Sequence, residues 1–189
     1  SEIFDAEGNS VGVAEGTATV DLKDKFTIQY SFPMAEVHRW SPEDPYQYSM
    51  KTKIFSEGEE VDETDVKFGF RTFYTDPEKG LFINDKPYKI KGMCGHADCG
   101  LMGKAVPDNI HRYKVEMMKE MGVNGYRTSH YPQAEALMDE LDANGFIVMD
   151  EVRWFESTQE GREQLEMLMK RDRNRPSVLF WSIGNEEFY

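Results

Sequence analysis

Through the first part of the chain, apolar and polar side chains alternate in short runs. Residues 17–22 and 26–32 each read as a strand, with Lys23-Asp24-Lys25 as the turn between them. Tyr46, Tyr48, Met50 and Ile54 interleave with Gln47, Ser49, Lys51 and Lys53, the two-residue period of a half-buried antiparallel strand. Glu57-Gly58-Glu59-Glu60 makes the next turn and residues 66–73 a further strand. Pro33, Pro42 and Pro45 fall between runs, where a missing N–H does no harm. Short strands separated by turns predict a β-sandwich over residues 1–75, with His38 and Trp40 as rim and packing residues.

At about residue 76 the pattern changes. Leu81-Phe82-Ile83, the turn Asn84-Asp85-Lys86 and Pro87-Tyr88-Lys89-Ile90 predict a hairpin, and residues 89–95 a strand. Asp108 is placed to cap a helix whose Ile110, Lys114, Met117, Met118 and Met121 follow the 3.6-residue period until Gly122 stops it. Residues 123–128 form the next strand. Ala134, Leu137, Met138 and Leu141 give a second amphipathic face, closed by Gly145. Residues 146–149 form a strand that ends in Asp150-Glu151, Leu165, Leu168 and Met169 mark a third helix, and residues 178–181 a fourth, fully buried strand.

Strands that alternate with helices in this way build a parallel sheet. A doubly wound sheet carries a glycine-rich phosphate turn after its first strand. Here that strand runs into Gly92-Met93-Cys94-Gly95-His96 and no G-x-G-x-x-G is present. The pattern therefore predicts the first four strands of a (β/α)8 barrel over residues 76–189, following the sandwich.

Composition narrows the function classes. Hydrophobic residues at 39% suffice for a core, and the 30% of charged residues leave no apolar run near the ~20 residues of a spanning helix. A net charge of −13 opposes nucleic-acid binding, which runs on Lys and Arg, and leaves a neutral ligand such as a sugar open. The opening Ser1-Glu2-Ile3-Phe4 reads like the middle of a domain and shows no secretory signal, so it assigns no compartment. Cys94 and Cys99, with His96 and Asp98 between them, allow a metal-binding or redox reading. Structural zinc sites, however, pair two Cys units and supply four ligands.

All four predicted parallel strands end in polar side chains: His96 and Asp98; Arg127 to His130; Asp150-Glu151; and Asn185-Glu186. Barrel enzymes keep their chemistry at that end. Each residue has a plainer reading, and Arg127 with Asp150 would make a buried ion pair. Together they offer carboxylates, imidazoles and an amide, with Tyr131, Trp154 and Trp181 as apolar plates, which suits a sugar. The rim lacks a phosphate cradle and the G-x-S-x-G nucleophile elbow. Glycoside hydrolysis needs two carboxyl groups flanking the scissile bond.

The run Asn124-Gly125-Tyr126-Arg127-Thr128-Ser129-His130-Tyr131-Pro132, continued through Gly145-Phe146-Ile147-Val148-Met149, resembles one signature of glycoside hydrolase family 2, the β-galactosidases, β-glucuronidases and β-mannosidases. Residues 172–186 resemble its second signature, which contains the acid/base. Trp40-Ser41-Pro42-Glu43-Asp44-Pro45-Tyr46 and Phe68-Gly69-Phe70-Arg71 resemble the end of the family's immunoglobulin-like domain. The resemblance implies that Glu186 is the general acid/base, preferred over Glu187 because the motif ends in Asn-Glu. It implies further that Asn185 binds the sugar 2-hydroxyl and that His96 and His130 contact sugar or transition state. Asp98 and Glu151 stand with them among the substrate-binding residues, and Arg127 and Asp150 shape the site from beneath. The stretch Cys94 to Gly100 is similar to the β-galactosidase-like branch, which makes a β-galactoside the expected substrate.

No cofactor is expected. Some members hold magnesium with an extra Glu and His, for which this chain offers Glu156 and no matching His. The family mechanism is retaining, and its nucleophilic Glu lies on a later barrel strand, so the 189 residues alone are expected to be inactive. A non-catalytic carbohydrate-binding or structural piece is the alternative. The expected partner is a β-linked oligosaccharide or glycoside, with no nucleic acid or membrane. Half a barrel also has an open sheet edge through which copies can associate.

Overall fold

A computed structural model describes residues 1–31, 34 and 36–186. Phe32 and Pro33, at the end of an expected strand, and Glu187, the neighbour of Glu186, lie outside the described residues. The chain divides into two compact units, Ser1–His38 with Gln47–Phe68, and Arg39–Tyr46 with Gly69–Tyr189.

The first unit is an antiparallel sheet of β1 (Glu2–Phe4), β2 (Ser10–Val13), β3 (Tyr48–Ser56) and β4 (Glu59–Phe68), in the order β2-β1-β3-β4. Among the described residues it forms one layer, not the paired layers of a sandwich. The β3–β4 turn falls where the sequence puts it, and Glu57 and Gly58, both at positive φ, give the two-residue geometry that suits strand twist. The strand expected over 66–73 is displaced, because β4 begins at Glu59. Its acidic residues hide it from a hydrophobic pattern, yet they are matched across the hairpin: Lys53 Nζ lies 2.8 Å from Glu60 and 3.2 Å from Glu63. Residues 17–31 contain no strand. Their turn is present, with Lys23 at φ 68°, but Val20, Leu22 and Phe26 are exposed and no ladder joins the flanking runs. Alternation alone failed there because a strand needs a partner edge. The β1–β2 hairpin has no clear hydrophobic pattern, since of its apolar residues only Ile3 is buried.

The second unit opens with β5 (Phe73–Asp76), β6 (Gly80–Ile83) and β7 (Lys86–Tyr88), an antiparallel meander in that order. The predicted hairpin is its β6–β7 half. Then come β8 (Gly92–Gly95), α1 (Asp108–Glu120), β9 (Gly125–Thr128), α2 (Glu135–Ala143), β10 (Ile147–Glu151), α3 (Gln159–Asp172) and β11 (Val178–Ser182). The sheet order β8-β9-β10-β11 is the chain order, and every neighbouring pair is parallel. Each new strand joins the same edge, as in a barrel wall; a doubly wound sheet reverses at a switch point.

The helices follow their apolar faces with two adjustments. Asp108 is the first residue of α1 and Pro107 takes the cap position, so the acid serves the positive helix end without a capping bond. The buried stripe of α1 is His111, Val115 and Met118, whereas Met121 is 71% exposed. In α2 the expected Leu137, Met138 and Leu141 are fully buried. In α3 Leu168 is buried and Met169 is not, and Thr158 caps the helix by accepting from Gly161 N at 3.1 Å. The main core joins Val115, Met118, Leu137, Met138 and Leu141 to the helix-side residues Tyr126, Val148 and Val178. On the opposite face Ile147 and Leu179 pack with Trp40 and Ile83.

Gly95 is required by contact. A Cβ there would sit 2.0 Å from the Tyr126 hydroxyl oxygen and 2.4 Å from its ring carbon Cζ. Gly95→Ala is therefore expected to cost about 1–3 kcal/mol in urea unfolding, as overpacking does. Among the described residues the buried Tyr126 hydroxyl has no partner, so Tyr126→Phe should change stability by less than about 1 kcal/mol.

Candidate active site

Strand alternation sorts the polar residues at the carboxyl ends of β8 to β11 into two layers. Tyr126, Thr128, Val148 and Asp150 point toward the helices, and Arg127, Met149 and Glu151 to the other face. Register sets Glu151 opposite Ser182, and Met149 opposite both Arg127 and Phe180. Asp150 and Glu151, adjacent in sequence, thus enter different environments.

Glu151 is completely buried and its carboxylate is saturated. Oε2 accepts from Arg127 Nε at 2.8 Å and from Ser182 Oγ at 2.7 Å, with Arg127 Nη2 at 2.7 Å; Oε1 lies 2.9 Å from His130 Nδ1. Burial works to raise its pKa, but the bonds from Ser182, Arg127 and His130 outweigh this and hold it below the usual glutamate value. The same contact raises the Arg127 pKa. Arg127 Nη2 also donates to Asn185 Oδ1 at 2.9 Å, so β9, β10 and the segment after β11 are joined through one guanidinium. Gly184, at φ 149° and with Phe155 Cβ and backbone where a side chain would go, makes the turn that delivers Asn185. Glu186 follows, exposed.

Asp150 takes no part in that ion pair. The buried partnership of Arg127 is with Glu151, because alternation turns Asp150 to the helix side. There its Oδ1 accepts from Thr128 Oγ1 at 3.0 Å, and Thr128 Oγ1 accepts from Glu151 N at 2.8 Å. Burial first, then the neighbouring Asp172 carboxyl, pushes Asp150 up to about 7, against the smaller pull of Thr128 and Arg171. Asp172 is itself fully buried between Arg171 Nε and Arg175 Nε, both at 2.8 Å.

A raised folded-state pKa means that the native protein holds this proton after the unfolded chain has released it. Stability from Asp150 is complete below its unfolded value near 4 and declines as pH rises toward 7. Urea unfolding at pH 5 and pH 8 should show a fall for the wild type that is smaller in Asp150→Asn. An equal fall in both proteins would disprove the assignment.

His96, past the end of β8, is exposed and stands edge-on to His130, with ring centroids 5.1 Å apart at 81°. Tyr131 lies 6.1 Å from His96, and Lys104 Nζ is 4.2 Å above the Tyr131 ring centre. Among the described residues Asp98 makes no hydrogen bond or ion pair with the cluster. Of the expected aromatic plates, Trp154 is exposed beneath the Arg153 guanidinium at 4.2 Å, but Trp181 packs against the helix-side core and leaves the rim. Cys94 and Cys99 are free thiols. No group of three His, Cys, Asp or Glu side chains among the described residues is disposed to hold a metal ion, Glu156 included.

The residues that sequence reasoning missed are Ser182 and Asp172; Thr128 stands in the polar run at the end of β9 with no role assigned to it. Ser182 reaches the face of Glu151 through the irregular register between Val148 and Met149, which simple alternation from Val178 does not foresee. Asp172 ends a helix and has no local mark of its meeting with Asp150.

The family model described as "Glycosyl hydrolases family 2, TIM barrel domain" matches residues 76–160 and 155–189, and that described as "Glycosyl hydrolases family 2" matches residues 1–71. The chain belongs to glycosyl hydrolase family 2. It is similar to a β-galactosidase from Bacteroides ovatus, at 35% identity over 98% of this chain and 23% of that protein. It is also similar to a β-glucuronidase from Bacteroides fragilis, at 29% identity over 98% of this chain and 29% of that one. A crystal structure of a family 2 member from Bacteroides cellulosilyticus aligns with a TM-score of 0.87 and 33% identity over 98% of this chain and 26% of its own. The family 2 chain thus spans about a quarter of the length of these relatives.

Proposed function

We propose that the protein carrying this chain is a retaining β-glycosidase and that β8 to β11 are the first four strands of its barrel. The observation that carries the reading is the union of three strand ends through Arg127, Glu151, Ser182 and Asn185, which sets Asn185-Glu186 on the same rim as His130 and His96. Glu186 acts as general acid on the leaving oxygen and then as general base on water; Asn185 holds the 2-hydroxyl. His130 and His96 bind the sugar. Arg127 shapes the site, and Glu151, closed off from solvent, orders these residues and does not itself touch the ligand. Asp98 borders the sugar site. A retaining mechanism needs a second, nucleophilic carboxylate on the other side of the scissile bond from Glu186.

A β-galactoside is the proposed substrate, on the Cys94 to Gly100 stretch and on the likeness to the Bacteroides ovatus β-galactosidase. The intact protein should hydrolyse nitrophenyl β-galactoside in preference to the β-glucuronide. The reverse preference would reassign the sugar, and no turnover of any β-glycoside would refute the enzyme.

A further inference from the structure

The inner nitrogen of the His130 ring is held by a buried carboxylate. Its Nδ1 lies 2.9 Å from Glu151 Oε1 and 3.3 Å from Arg127 Nη2. Arg127 Nη2 donates to Asn185 Oδ1 at 2.9 Å and lies 2.7 Å from Glu151 Oε2, so its 3.3 Å approach to the ring is the longest of these contacts and Glu151 Oε1 is the nearer partner of Nδ1. A bare Nδ1 would then set its lone pair against that of Glu151 Oε1. The other carboxylate oxygen is taken by Arg127 and Ser182. One consistent proton arrangement remains, with Nδ1–H donating to Oε1.

We infer that Glu151 is a positioning residue that fixes His130 as its Nδ1–H tautomer, so that the neutral ring presents Nε2 to the sugar site as a hydrogen-bond acceptor. The ligand chemistry follows: Nε2 takes the hydrogen of a sugar hydroxyl, and that hydroxyl stays free to accept from a donor elsewhere. The role of the hydroxyl rests on the glycosidase reading; the tautomer does not.

The substitution Glu151→Gln makes the inference sharp. A glutamine amide has one oxygen, which the charged Arg127 and Ser182 would claim, and its nitrogen would then donate to His130 Nδ1. The ring would be forced into the Nε2–H tautomer and would change from acceptor to donor toward the ligand. A carboxylate with a merely structural role would leave the tautomer unmoved.

The test is nitrogen NMR of the intact, unliganded protein labelled at histidine, above the titration range of the ring, with the His130 signals identified by difference against His130→Phe. The Nδ1–H pattern is expected in the wild type and the Nε2–H pattern in Glu151→Gln. An Nε2–H wild type, or a folded Glu151→Gln with the wild-type pattern, would overturn the inference. The wild-type measurement stands even where the variant does not fold. With substrate, Glu151→Gln should lower kcat/KM about 10- to 100-fold, the loss that follows when a hydrogen bond to a charged group is exchanged for a mismatched one. Absence of turnover in a wild type that shows Nδ1–H would count against the glycosidase alone.

Discussion

Glu186→Gln should reduce turnover of an alkyl β-glycoside by the intact protein about 10²- to 10⁴-fold, the range that a positioned general acid/base contributes. The loss should be smaller for an aryl glycoside with an acidic leaving group, because a leaving oxygen that departs as a stable anion needs little protonation. Small anions such as azide, which attack without a general base, should then restore part of the second step. This leaving-group dependence separates an acid/base from a residue that only binds. Glu186 is exposed after the Gly184 turn and Asn185 is tied to Arg127, so glutamine at 186 should not disturb the buried network. A uniform loss across leaving groups would remove Glu186 from the acid role.

The largest stability effect is expected at Arg175. Its guanidinium bonds to Asp172 at 2.8 Å, Asp142 at 3.0 Å and Asp139 at 2.6 Å, and the first two carboxylates are buried. Asp142 in turn receives Ser177 N at 3.1 Å, and its backbone carbonyl accepts from the Trp40 indole at 2.9 Å, so the ion cluster pins the approach to β11. A charge buried with its partners costs little net, but removing Arg175 takes away the cation of the buried Asp142 and one of the two that hold Asp172. Arg175→Met should lose about 3–5 kcal/mol in urea unfolding at pH 7. The deficit should shrink as pH falls, because burial already raises the pKa of Asp142 and its stranded carboxyl can take up a proton and cease to be a buried charge. A loss under about 1 kcal/mol at pH 7 would mean that water reaches the cluster.

Much of the second unit was legible because its signals are strong and local. Leu137, Met138 and Leu141 fill one helical face, and they are buried where the pattern puts them. The polar residues at the strand ends were legible for the same reason, since a short apolar run followed by Asp-Glu or Asn-Glu shows where a strand stops. Their pairing was not. Charge and nearness to a strand end match Arg127 to Asp150, whereas the parity of β10 assigns it to Glu151. Thr128 and Ser182 carry no charge to draw attention, yet they set the two carboxyls. In the first unit the apolar alternation at 17–31 never found an edge to pair with, and β4 is built from acids whose lysine partners lie a hairpin away.

The opposed burial of Asp150 and Glu151 has a consequence for folding. A sheet slipped by one residue at β10 would send the glutamate to the helices and the aspartate toward Arg127 and Ser182. The longer glutamate would arrive beside Asp172, whose cations Arg171 and Arg175 are already engaged. The aspartate, shorter by a methylene, would fall short of the spread between guanidinium and imidazole. The doublet therefore acts as a proofreading pair: only one alignment of three strands satisfies both acids, and misaligned sheets are penalised before any ligand is present.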